Sequence, residues 1–434
     1  MPTALTLRRG AYTGPTGRHA VVNVAAALPA VLIALAALPV STIRYLLTRP
    51  RGFTLKTFVI MRLLRLLNQL VAVLPPPEAR RRRWVPPKTL GTHPAVKIET
   101  VQVARAQHAW RGEYAAGPDS VKPLDMPGYI ITPSGVASGP ARASEKIVMY
   151  IHGGAYILGH PLWTAFPHRL AAETGRRVYA VQYRKTLDDS TAFPGPLLDA
   201  LAAWEYVTKV MGFSASQIIL SGDSAGAHLS LMLVHQLHAL GEALPGGLAL
   251  VSPWVDFTCS FPCWNTHNLD YITRAKLRKC IDSATRHYDD DEKRSAFFSP
   301  ALAKLGHWRF LADAGTAVFV SVGGIEVFTD EAEALVTAMR ADGVPVTFWK
   351  DQYGVHDTPI LDCVIPTKSQ AFKNFKDGVL GLLRMEMASD AETLAPPSPS
   401  KASEDSGVLV DAEAEARQGE VSDHEDELHE GEQE

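Results

Sequence analysis

The chain has 434 residues, 46% hydrophobic and 21% charged, enough for one large α/β domain with appendages or for two modest domains. Four cysteines (Cys259, Cys263, Cys280, Cys363) in this length exclude a disulfide framework. No second Cys/His pair at ligand spacing accompanies Cys259-x-x-x-Cys263, so no metal is expected and the thiols read as buried or idle. The net charge of -3 hides a strong asymmetry. Residues 1–90 carry 14 Lys/Arg against one acid, Glu78, and residues 390–434 carry 15 Asp/Glu against Lys401 and Arg417. The near-neutral middle does not call for nucleic acid, and the two ends need their own explanation.

In chain order, residues 20–40 come first, with Asn23 the one strongly polar residue among them. As a helix they would extend roughly 31 Å, the thickness of a bilayer core. An uncleaved membrane anchor is the expectation here. A signal peptide cut at Ala34-Leu35-Ala36, an organelle presequence and a buried core helix stay open as alternatives. Residues 55–74 follow, with Lys56, Arg62, Arg65 and Gln69 making a polar stripe on a very apolar helix, a pattern suited to the plane of a membrane interface or to packing on the domain's own surface. Pro75-Pro76-Pro77 ends that helix, and Arg80 to Arg83 with Trp84 make a basic cluster suited to anionic lipid. The positive excess after the span favours a cytosolic catalytic domain.

From about Thr92 to Met387 short apolar strands alternate with helical stretches. The strands are 147–151, 178–183, 218–220, 248–251, 318–322 and 346–349, and continuous apolar strands of this kind imply a mostly parallel sheet covered on both faces. The segment 254–311 interrupts the rhythm and reads as a cap inserted above the strand ends. Its aromatics Trp254, Phe257, Phe261 and Trp264 are expected either to line a lid or to sit in the core. Residues 389–434, rich in Glu, Ser, Ala and Pro, read as a disordered acidic tail. Three regions result: an N-terminal membrane segment over 1–90, a catalytic domain over 91–388 and the tail.

Two motifs carry the chemistry. Gly222-Asp223-Ser224-Ala225-Gly226 lies between a strand and an apolar helix starting near His228, which is the setting of a nucleophile elbow: the glycines let the chain turn tightly and Ser224 stands exposed above the sheet. Upstream, His152-Gly153-Gly154-Ala155 follows a strand directly. Its small residues let backbone N–H groups approach a substrate carbonyl, where one donor is worth about 2.7–4 kcal/mol of barrier. The N–H of Ala225 would complete the oxyanion hole with Gly153, Gly154 and Ala155.

With these motifs the chain resembles the hormone-sensitive-lipase-like branch of the α/β-hydrolases over roughly residues 145–385. His152 to Ala155 is similar to that family's His-Gly-Gly-Gly loop, with Ala155 in place of the third glycine. Tyr183-Arg184, Phe193-Pro194, Asp199 and Ser252-Pro253-Trp254 also resemble family segments. The resemblance implies an α/β-hydrolase fold with a helical cap and an acid and a histidine after the serine. Residues 323–331 are similar to the family's acid segment, which places Glu326 at the catalytic acid and leaves Asp330 as the alternative. His356, in the loop after the next strand, takes the place of the base. No cofactor is implied.

An intact Ser224–Glu326–His356 set points to hydrolysis of carboxylic esters. Amide hydrolysis stays open, and so does a ligand-binding protein on a hydrolase scaffold, although the latter usually lacks the histidine. The layout of anchor, loop and elbow is similar to arylacetamide-deacetylase-like and steryl-acetate-hydrolase-like enzymes. That likeness implies a lipophilic, sterol-like acetate as substrate, membrane lipid as partner and a single-pass or monotopic place in a membrane, the endoplasmic reticulum. A short-chain carboxylesterase or amidase of secondary metabolism is the alternative. Nothing in the sequence bears on oligomeric state.

Overall fold

The computed structural model describes residues 28–29, 32–73, 93–107, 118–365 and 369–385. The basic cluster at Arg80 to Arg83, the acidic tail and residues 20–27 and 30–31 of the expected membrane span lie outside these.

Eight strands form one sheet: β1 (Val96–Val103), β2 (Met126–Pro133), β3 (Ile147–Ile151), β4 (Val178–Val181), β5 (Ile218–Asp223), β6 (Gly247–Val251), β7 (Ala317–Gly323) and β8 (Val346–Asp351). Their order across the sheet is β1-β2-β4-β3-β5-β6-β7-β8, antiparallel from β1 to β4 and parallel from there to β8. The six parallel strands are those the apolar runs mark out. The antiparallel pair β1–β2 carries weaker signals: β1 is a half-exposed edge with Lys97 and Glu99, and β2 begins Met126-Pro127-Gly128.

Strands β3 to β7 are almost wholly buried because helices cover both faces. One face packs against the helices Gly195–Glu205, Ala225–Leu240 and Thr329–Ala341, and the other against Phe166–Thr174 and Ala371–Arg384. In the last of these, Phe372, Phe375, Val379, Leu382 and Leu383 recur at helical spacing and form the buried stripe.

Between β6 and β7 the chain leaves the sheet and makes the short helix Cys263–Thr266, the 11-residue helix Arg274–Ala284 and three further short turns of helix. Trp254, Phe257 and Trp264 do not line a lid. They are buried in the core, with Trp254 and Phe257 at 4.4 Å between ring centroids and Phe257 stacked on His228 at the same distance. Phe261 is partly buried against the same cluster.

The N-terminal residues form the helices Leu38–Thr48 and Leu55–Val73. Among the described residues no helix is long and apolar enough to cross a membrane. Of the two readings of the polar stripe on the second helix, Arg62 and Arg65 follow the packing one, since they bond to the protein. Arg62 Nη1 donates to the carbonyl of Asn268 at 3.0 Å, Arg65 Nη1 to those of Asp270 and Ile272 at 2.7 and 3.1 Å, and Asn68 Nδ2 to that of Tyr271 at 2.7 Å. Four loop carbonyls of the β6–β7 excursion thus find donors on this helix, and a guanidinium so used is not presented to lipid. Phe58 and Met61 pack beneath it with Phe53 and Val355, the residue before His356.

Candidate active site

Ser224 follows β5 directly and is the N-cap of the helix Ala225–Leu240, with φ 52° and ψ -120°, a backbone state that L-residues avoid. The turn closes because its glycines have no side chains. A Cβ on Gly222 would lie 2.4 Å from the carbonyl carbon of Gly226, and one on Gly226 would lie 2.0 Å from the carbonyl oxygen of Ile151. The serine is thereby lifted off the sheet toward the loop that follows β3.

His356, after β8, places Nε2 3.0 Å from Ser224 Oγ. Glu326, after β7, lies on the other side of the ring, with Oε1 3.8 Å from His356 Nδ1. That is an ion-pair separation, longer than a hydrogen bond, and neither atom has another hydrogen-bond partner among the described residues. Catalytic contacts of this kind are often long without substrate. The second oxygen of Glu326 is held firmly: Oε2 accepts from Ser252 Oγ at 2.7 Å and from the N–H of Gly323 at 2.8 Å. Asp330, the alternative acid, is elsewhere; its carboxylate accepts from the N–H of Cys263 and so anchors the first helix of the excursion.

The loop Gly153-Gly154-Ala155 borders the same cavity as Ser224. Gly154, Ala155 and Tyr156 run consecutively at positive φ (118°, 51° and 62°), so the alanine takes the left-handed state its glycine counterpart would take. The N–H groups of Gly153, Gly154, Ala155 and Ala225 are the donors on hand for an oxyanion, with the Asp223 carboxylate lying beside Gly153. Ala225 is the first residue of its helix, where the N–H has no partner within the helix. The loop is pinned from behind. Tyr183 Oη donates to the His152 carbonyl at 2.8 Å, His152 Nδ1 donates to the Gly153 carbonyl at 2.6 Å, and Lys185 Nζ donates to His152 Nε2 at 3.0 Å.

The structure adds a carboxylate that the motifs did not single out. Asp357 adopts φ 55°, ψ 33° and brings Oδ2 to 3.2 Å from His356 Nε2, the nitrogen that also faces Ser224. Burial alone would lower the imidazole pKa. The carboxylates of Asp357, Glu326 and Asp270 outweigh it and push His356 up to about 9. Burial, reinforced by Asp223, Glu326 and Asp270, holds Asp357 well above the usual carboxylate range, with His356 opposing. Asp223 and Asp270 are each pushed up to about 6 by burial. The only signal in the sequence was adjacency, Asp357 following His356.

The cavity has a volume of about 250 Å³ and a mainly apolar lining that includes Ile157, Leu158, Trp163, Leu277, Phe328 and Ile360. Among the described residues no cluster of side chains could hold a metal ion. A serine beside an imidazole, with backbone donors across a small cavity, can perform nucleophilic acyl transfer once the imidazole is neutral.

The model of the family described by the α/β-hydrolase fold matches residues 148–359. An acetyl-hydrolase of Streptomyces hygroscopicus is 32% identical over 225 residues, which cover 50% of this chain and 70% of that protein. An esterase of Mycobacterium tuberculosis, LipU, is 26% identical over 251 residues, covering 55% and 77%. Among solved structures, the esterase EstE5 soaked with p-nitrophenyl butyrate superposes with a TM-score of 0.55 at 18% identity, covering 81% of this chain and 99% of that one, a likeness of fold. The sheet order, the elbow and the 32% identity over most of an acetyl-hydrolase agree, and the chain belongs to the α/β-hydrolase family.

Proposed function

We propose that this chain, a carboxylic ester hydrolase, removes acetyl or similarly short acyl groups from lipophilic, sterol-like alcohols, and that its N-terminal segment holds it at a membrane, that of the endoplasmic reticulum. The observation that carries the chemistry is the 3.0 Å approach of His356 Nε2 to Ser224 Oγ beside the Gly153–Ala155 loop. In the proposed reaction Ser224 Oγ attacks the ester carbonyl while His356 takes its proton. The N–H groups of Gly153, Gly154, Ala155 and Ala225 receive the developing oxyanion, and Glu326 stabilises the imidazolium. His356 then gives the proton to the departing alcohol, and water repeats the sequence on the acyl-enzyme to release the acid.

The small cavity supports a short acyl group, and the similarity to an acetyl-hydrolase supports acetate. Membrane association is supported by the row Leu32, Ile33, Leu35, Val40, Ile43, Leu46 and Leu47, all exposed, with Arg44, Arg49 and Arg51 alongside.

A fluorophosphonate probe tests both halves in membrane and soluble fractions of cells expressing wild type or Ser224→Ala. The expected outcome is labelling confined to wild type and to membranes, together with hydrolysis of p-nitrophenyl acetate and a steryl acetate that falls by about 10⁴- to 10⁶-fold in the variant. An unlabelled, folded wild type would overturn the hydrolase chemistry. Labelling in the soluble fraction alone would overturn the membrane placement.

A further inference from the structure

We infer that Lys185 is a positioning residue of the oxyanion hole: its ammonium holds from behind the two peptide units whose N–H groups, those of Gly153 and Gly154, meet the developing oxyanion. The inference rests on the ester-hydrolase reading and gives a role in it to a residue that does not line the cavity.

A peptide unit joins the carbonyl of one residue to the N–H of the next in one plane, so a hydrogen bond to its oxygen orients and polarises its N–H. Both units are held in this way. Tyr183 Oη donates to the His152 carbonyl at 2.8 Å, in the unit that carries the Gly153 N–H. His152 Nδ1 lies 2.6 Å from the Gly153 carbonyl oxygen, in the unit that carries the Gly154 N–H. Lys185 reaches both of these donor residues. Its Nζ is 2.9 Å from the Tyr183 carbonyl oxygen, 3.6 Å from the centre of the Tyr183 ring and 3.0 Å from His152 Nε2. The His152 and Tyr183 rings are stacked at 4.5 Å, so the three side chains form one block behind the loop.

The contacts also decide where the protons are. Burial, reinforced by Lys185, puts the His152 pKa well below the ordinary value, so its ring is neutral. A carbonyl oxygen only accepts, so the Gly153 contact requires the single ring proton to be on Nδ1. Nε2 is then bare, and Lys185 is its donor. His152 is 4% exposed, and a side chain without a proton to give would leave that nitrogen buried and unpaired.

The charge itself has no local counterpart. Among the described residues no carboxylate lies within ion-pair distance of Lys185, and Asp199, whose field reaches it, is bound through both oxygens by Arg184. Burial pulls the Lys185 pKa down accordingly. A side chain needed only to fill this space would be less costly if apolar. The negative charge that complements the ammonium forms only during the reaction, on the substrate oxygen at the loop in front of it. Such an arrangement stabilises the transition state more than the bound ester.

A matched pair of ketones tests this. Ser224 adds to 1,1,1-trifluoro-2-hexanone to give a tetrahedral adduct with an oxyanion, whereas 2-hexanone binds as the ketone. The wild type is expected to prefer the trifluoro compound strongly, and Lys185→Met to reduce that preference by about ten- to a hundredfold, less than the roughly 10²- to 10³-fold lost with an oxyanion donor itself. On p-nitrophenyl acetate kcat should fall by a similar factor with KM little changed. Lys185→Arg, which keeps the charge and a donor for Nε2, should retain most of the preference. Labelled with ¹⁵N-histidine, His152 Nε2 should move downfield in Lys185→Met as it loses its donor. Taking the ketone ratio within each variant, with active sites counted by fluorophosphonate, cancels any loss from altered folding; should Lys185→Met not fold, Lys185→Gln takes its place with the same expectation. A ratio unchanged by removal of the ammonium, or lost equally in Lys185→Arg, overturns the role of Lys185 and leaves the esterase intact. A wild type that fluorophosphonate does not label and that binds the two ketones alike overturns the esterase reading, and this role with it.

Discussion

The wall of the cavity that carries Ser224 and the wall that carries Lys276 are held in different ways. On the first, Gly222, Ser224 and Gly226 lie within five residues, and contacts too close for any Cβ lock the turn against Ile151 and His152. On the second, Asn68, Tyr271, Thr273 and Lys276 meet across a chain separation of more than 200 residues, joined by hydrogen bonds from Arg65 and Asn68 to loop carbonyls. The chemistry therefore stands on a rigid, locally encoded turn, whereas substrate recognition stands on a docked helix held by polar contacts that can exchange with water. Substitutions on the first wall should act on kcat, and those on the second on KM.

The largest effect after loss of Ser224 itself belongs to the acid behind the base. Glu326→Gln keeps the shape and the bonds from Ser252 and Gly323 but removes the charge that supports the imidazolium. The expected loss in kcat is about 10³- to 10⁴-fold. Asp330→Asn, beside it in sequence but bonded to Cys263, should stay within a few fold of wild type. Steady-state kinetics on p-nitrophenyl acetate separates the two, and the reverse ranking would move the acid to Asp330.

Asp357 lies where the rigid wall meets the cavity, and its effect should appear in the pH profile. As a base, His356 must be neutral, so kcat/KM rises with pH through its pKa, which the surrounding carboxylates push up to about 9. Asp357→Asn removes the nearest of these charges, and asparagine tolerates the left-handed backbone found there. The rising limb should move to lower pH by about one unit, and activity at pH 7 should increase. A limb that does not move would show that Asp223, Asp270 and Glu326 set the imidazole without Asp357.

The same contrast explains how much could be read from the sequence. The elbow, the Gly153–Ala155 loop and the six parallel strands are local patterns: a turn too tight for side chains requires glycine at fixed spacing, and a doubly covered strand requires an apolar run. The positions of Glu326 and His356 follow from chain order once the elbow is placed. The arginines of the Leu55–Val73 helix were not legible in this way. A cationic stripe meant for lipid and one meant for loop carbonyls have the same spacing, and only the partner 200 residues away distinguishes them. Trp254 and Phe257 illustrate the same limit, since an aromatic that lines a cavity and one buried beside it look alike. Strands β1 and β2 escaped because an exposed edge and a Pro-Gly pair dilute the apolar signal.

The smallest effect tests the docked helix directly. Arg65→Met removes the donors that the Asp270 and Ile272 carbonyls share, while its apolar stem still covers the surface beneath. Hydrogen bonds from a charged donor at a half-buried site are individually modest, and water replaces part of what is lost. Asn68 and Tyr271, which line the cavity, lose a neighbour; Ser224 and Glu326 have no hydrogen bond to the helix, and His356 meets it indirectly, through the ring of Tyr271. The expected outcome is a rise in KM of about three- to tenfold with kcat nearly unchanged, measured on the steryl acetate. A fall in kcat instead would mean that the helix reaches the reacting groups, through the packing of Phe58 and Met61 on Val355 next to His356, and that the two walls are mechanically one.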